Sequence, residues 1–296
     1  MADMKLIKFL IIFVFIFSHD LQASKLRTDV LELSTCEIDI SRNYTASTAV
    51  ALNYLAYPGI GQMILGDYAA GMGFVFSKFY LFPILAQKIH SSNPARQQET
   101  SLDCATPIKL PSYLSAYVAY SGKFDFDFDI NLSVVPIVVG SVSLLLLTDC
   151  VLESIARPEF EFSQSIYTKA FVLAISTWDR TIVSDAFDGI TVGLGEELFF
   201  RGTLQPLFSD LLENTASGHA ISSVAFAFIH WGNADVLYPN PSESYARARW
   251  RLLYIPFHFM SGMYISWLKE STGSIFTGIL IHCLYDFAAF RMNRFM

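Results

Sequence analysis

The chain is predicted to fold as an all-α, polytopic transmembrane helix bundle of about seven or eight membrane helices behind an N-terminal signal peptide. Its composition points that way first: of 296 residues, 53% are hydrophobic and only 16% charged, where a soluble domain carries about 25% charged residues. The apolar residues also come in long runs instead of one face of each helix, and the mean hydropathy is +0.40. Lastly, the few ionisable groups inside those runs are clustered, which is how membrane proteins keep groups that cost about 2.5–3.5 kcal/mol each at mid-bilayer. The formal net charge is −7, so the electrostatic footprint of nucleic-acid binding is missing.

The first element is the export signal, residues 1–23. Lys5 and Lys8 form a positive n-region, Phe9 to Phe17 is an apolar run too short to span comfortably, and Ala23 offers a small residue for cleavage. A retained signal anchor is the alternative. Residues 24–165 form an N-terminal region with an exported segment, a membrane hairpin and a polar loop. Cys36 and Cys104 fall in its polar parts and can pair if both face an oxidising compartment. Cys150 and Cys283 lie in or beside apolar runs, as small buried residues do.

The run Ala46 to Gln87 is broken at Tyr57-Pro58-Gly59-Ile60-Gly61-Gln62 and at Gly66-Asp67-Tyr68. Proline and clustered glycine interrupt helices, so two helices or one re-entrant hairpin are expected. Pro58-Gly59-x-Gly61-Gln62 with Gly66 and Gly71 resembles a short hairpin motif of small bacterial membrane proteins. A turn with close packing through small residues is the preferred reading. In the polar loop, Asp125, Asp127 and Asp129 alternate with phenylalanines, the pattern of a solvated edge or an aromatic belt.

Further spans are expected at Val134 to Thr148, from Tyr167 onward, and at Ile190 to Leu212, Ala220 to Trp231, Leu252 to Leu268 and Ile275 to Phe290. Arg247, Arg249 and Arg251 precede one helix and Arg291 and Arg294 follow the next. By the positive-inside rule this side is cytoplasmic.

The C-terminal region, residues 166–296, holds ionisable groups with one-turn spacing. Glu197 and Arg201 are i,i+4 and can pair on one helix face, while Glu196 is turned about 100° away. Phe226 and His230 are i,i+4 on the next apolar helix, and His282 and Asp286 on the last. Each taken alone has a structural explanation: an ion pair, a core histidine, an oriented His–Asp pair. Together they have the composition of a catalytic or metal site.

The order Glu196-Glu197-x-x-x-Arg201, Phe226-x-x-x-His230, His282-x-x-x-Asp286 resembles the three motifs of the CPBP family. These are intramembrane proteases that include the type II CAAX prenyl endopeptidases and bacteriocin-processing or immunity proteins. The resemblance implies an intramembrane endopeptidase acting on a membrane-associated or lipidated peptide. Glu196 would be the general base on water, His230 would orient that water, and His282 would donate to the oxyanion. Glu197, Arg201 and Phe226 would hold structure. Asp286 stands where the family often has asparagine, and is expected to orient His282. A zinc ion at Glu196, His230 and His282 is the alternative chemistry. A non-catalytic adaptor or immunity-type member is the alternative function. With an export signal, the expected location is a bacterial inner membrane.

Overall fold

The structure is a computed structural model and describes residues 47–54, 57–91, 105–121, 134–156, 176–177 and 181–293. The signal segment, Cys36, Cys104, the Asp125–Asp127–Asp129 alternation and Arg294 lie outside them. The chain divides into two units, Met1–Ala46 and Ser47–Met296, and the description below concerns the second.

All regular structure among the described residues is helical. Helix α1 covers residues 47–54, followed by α2 (Ile60–Ile64) and α3 (Tyr68–Phe76). A π-helical turn at Ser77–Leu81 joins α3 to α4 (Phe82–Ser91). Then come α5 (Ala105–Ser121) and α6 (Val135–Ala156). Helix α7 (Thr181–Phe199) runs through a second π turn, Phe200–Leu204, into α8 (Gln205–Leu211). Helix α9 (Thr215–Ile229) ends in a 3-10 turn at His230–Gly232, followed by the short α10 (Asn233–Leu237). The long α11 (Ser244–Thr272) and α12 (Ile275–Asn293) complete the unit.

Of the seven or eight membrane helices expected, three among the described residues are both long and apolar enough to cross a bilayer: Tyr68–Gln87, Val135–Ala156 and Ile275–Met292. Helix α7 has 19 residues, enough for a span, but carries Asp185, Asp188, Glu196 and Glu197. Helix α11 has 29 residues, about 43 Å at 1.5 Å per residue, which exceeds a hydrocarbon core of about 30 Å. Its first turns carry Arg247 and Arg251, both bound to Asp235 of α10.

The glycine-rich break after α1 is a buried polar knot. Asn53 Oδ1 accepts from the amides of Gly59 (3.0 Å) and Gly61 (2.7 Å). Gln62 Nε2 and Asn53 Nδ2 both donate to the Ser115 carbonyl on α5. Gly59 has φ +90°, and a Cβ there would lie 2.0 Å from the Gly71 carbonyl oxygen. Only glycine fits. The turn with close small-residue packing is what this stretch forms.

The N-terminal helices share a core with the motif-bearing ones. Ala49, Val50, Tyr113, Ala116 and Ala119 pack with Phe199, Phe200 and Phe226. Helix α7 lies against α12 at close range, because Gly189 and Gly193 face the backbone of Phe287 and Cys283. This contact sets Glu196 and Glu197 beside His282 and Asp286. Arg291, expected as a charge flanking the membrane, is buried: its guanidinium pairs with Asp185 at 3.2 Å and donates to the Thr177 carbonyl. Cys150 and Cys283 are free and partly buried.

Candidate active site

The opening Glu-Glu stretch is helical up to Phe199 and then widens into the π turn at Phe200–Leu204. Such turns recur at functional sites because they re-aim side chains within a continuous helix. Lys269 of α11 donates to the Arg201 carbonyl at 2.9 Å, so a main-chain acceptor in this turn has a charged partner.

Glu197 and Arg201 pair at 3.1 Å, both fully buried. The same Glu197 Oε1 lies 2.7 Å from His282 Nδ1 on α12. Glu197 is therefore a bridge between a guanidinium and an imidazole on different helices. This hydrogen bond places the His282 proton on Nδ1 and turns Nε2 the other way. Asp286 lies on that side, with Oδ2 3.5 Å from Nε2, beyond the contact that Glu197 makes.

Glu196 has different surroundings. Its Oε2 faces His282 Nε2 at 3.7 Å and His230 Nε2 at 3.8 Å. Glu196 Oε2, His230 Nε2 and Asp286 Oδ2 are buried and have no hydrogen-bond partner among the described residues. Polar atoms this deep are normally satisfied, and separations slightly beyond hydrogen-bond range are those that one water bridges. His230 Nδ1 lies 3.1 Å from Asn233 Nδ2. With the amide nitrogen donating, the His230 proton sits on Nε2, facing Glu196.

Phe226 packs the centre. Its ring meets His230 at 5.0 Å, His282 at 5.6 Å and His258 at 6.0 Å, all edge-on. The Arg201 guanidinium lies 4.4 Å above it, a cation–π contact that gives a buried cation a second partner. All seven residues named from the sequence thus gather at one place. His258 was not among them: a lone histidine in an apolar helix is usually a core residue, and its one signal is the four-residue spacing Trp250, Tyr254, His258, Gly262.

Among the described residues no three His, Cys, Asp or Glu side chains form a group that could hold a metal ion. The zinc set Glu196, His230 and His282 is not such a group as it stands, although a His282 Nδ1 bonded to Glu197 leaves Nε2 facing Glu196.

Apolar helices long enough to cross a bilayer stand with a buried carboxylate–histidine centre, as suits an integral membrane protein. Residues 179–288 match the family model described as Type II CAAX prenyl endopeptidase Rce1-like, a match that supports a CPBP-family intramembrane protease. Searches among curated proteins and among solved structures found no match.

Proposed function

We propose that the protein is an intramembrane endopeptidase that hydrolyses a peptide bond with a water activated by Glu196. One observation carries the reading: Glu196 Oε2 is buried, has no hydrogen-bond partner among the described residues, and faces two histidine Nε2 atoms at 3.7 and 3.8 Å. A water bridging these atoms donates to Glu196 and accepts from His230 Nε2–H. As its oxygen attacks the scissile carbonyl, its proton passes to Glu196, and from there to the leaving amine. His282 donates from Nε2 to the oxyanion. With Nδ1 also donating to Glu197, His282 does so as the imidazolium. Asp286 acts as its counter-charge, since an ionised carboxylate opposes an oxyanion.

The substrate is a membrane-associated peptide. The matched family model is described as a CAAX prenyl endopeptidase, while the export signal and bacterial inner membrane expected from the sequence would favour another lipidated or transmembrane peptide. Substrate capture tests this: membranes expressing Glu196→Gln are compared with wild type for peptides that accumulate or co-purify. Captured peptides that wild type then cleaves support the protease. A cellular phenotype that survives Glu196→Ala with His230→Ala, with nothing captured, supports the non-catalytic adaptor instead.

A further inference from the structure

His258 lies in the site, and the three motifs give it no role. Its ring stacks face to face on that of His230, with centroids 3.9 Å apart and planes 14° from parallel. Phe226 closes the edges of both rings. Behind His258 on the same face of α11, Trp250 and Tyr254 stack at 4.6 Å. Both belong to a buried cluster with Ala156 of α6 and Ala234 of α10, and the Tyr254 hydroxyl donates to Glu153 of α6 at 3.0 Å. His258 is thus the end of a stripe fixed to the neighbouring helices.

His230 occupies a less constrained place. It is the first residue of the 3-10 turn that ends α9, and its Nδ1 is held by Asn233 three residues on. An imidazole in such a turn can rotate about its outer torsion, which is broad and roughly two-fold. Such a flip would put Cε1 in place of Nε2 opposite Glu196 and take Nδ1 away from Asn233, freeing it to carry the proton. A flat ring stacked on one face, with Phe226 at the edge, blocks it.

We propose that His258 is a positioning residue for His230: its ring, anchored by Trp250 and Tyr254, keeps the His230 imidazole in the orientation that aims Nε2 at Glu196. Its importance for cleavage rests on the protease reading; its hold on His230 does not. The flat face performs this task, so phenylalanine can replace His258 and leucine, of similar bulk but not planar, cannot.

The test is solid-state NMR of the full chain, 15N-labelled at its six histidines, in lipid bilayers, with His230 assigned by its loss in His230→Gln. Wild type and His258→Phe are expected to give one His230 tautomer, protonated at Nε2. His258→Leu is expected to split the His230 signals into two tautomer sets while those of His282, held by Glu197, stay single. Unsplit His230 signals in His258→Leu would overturn the proposal, as would equal splitting in His258→Phe. Cleavage by Glu196→Gln at the wild-type rate would sink the reading of Glu196 as the base that activates water and leave these spectra unaffected.

Discussion

Glu196 and Glu197 are neighbours in the chain, yet they meet His282 at different nitrogens, Glu197 at Nδ1 within hydrogen-bond distance and Glu196 at Nε2 from 3.7 Å. Glu197 Oε1 is shared between Arg201 and His282; Glu196 Oε2, like Glu197 Oε2, has no hydrogen-bond partner among the described residues, but it faces the Nε2 atoms of two histidines. Removing Arg201 should show the difference. Arg201→Met leaves Glu197 as a buried charge short of its cation, and breaking a buried pair costs about 3–5 kcal/mol. Denaturation in mild detergent should register a loss of that order. Arg201→Met combined with Glu197→Gln should lose less than the sum of the two single changes, because the pair is coupled. Strict additivity would mean that the pair contributes nothing jointly. The pairing of Glu197 with Arg201 was legible in the sequence, since four residues is one helical turn. The hydrogen bond from His282 was not: it joins residues 85 apart, and no spacing encodes which helices will touch.

At the scale of elements, glycine decides which helices meet. Gly189 and Gly193 present a bare strip of α7 to the backbone of α12, and a Cβ at Gly193 would lie 2.6 Å from the Cys283 amide nitrogen. Gly193→Leu should push the helices apart and carry Glu197 away from His282. In a cross-linking assay with cysteines placed on α7 and α12, the yield should fall well below that of the unsubstituted control, and activity should fall with it; an unchanged yield would refute the close approach. The turn at Gly59 makes a second case. Gly59→Ala combines a left-handed backbone with a clash against the Gly71 carbonyl, and a strained position of this kind costs about 1–3 kcal/mol, which thermal unfolding in detergent can measure. Both breaks were visible as glycine clusters. That Asn53, Gln62 and Ser115 close the Gly59 turn into a polar knot was not visible, because Ser115 is supplied by α5, a helix inside the stretch His90 to Asp129 that reads as a polar loop.

For the molecule as a whole, the motif-bearing helices do not stand alone. Tyr113 of α5 packs on Phe199, and a Cβ at Gly195 or Gly202 would meet Tyr113 or Tyr117, each at 2.7 Å. A fragment of residues 166–296 keeps every motif but exposes Phe199, Phe200 and Gly195 where α1 and α5 belong. It should be degraded or inactive in membranes, and co-expression of residues 1–165 should restore it, as read by its steady-state level and by cleavage. Stable, active fragment alone would contradict the shared core. The all-helical class was legible from composition and runs of apolar residues. The membrane span count was less so, because the helices that build the site carry the very charges that lower their hydropathy.

Everything in the functional account converges on the free oxygen of Glu196. The most direct measurement takes a peptide captured by Glu196→Gln and follows its cleavage in proteoliposomes by purified wild type and by the folded variant. General-base catalysis contributes about 10²–10⁴-fold. The account therefore predicts cleavage by wild type and a rate at least about 100-fold lower for Glu196→Gln, with the site of cut unchanged. Equal rates for the two proteins would contradict it.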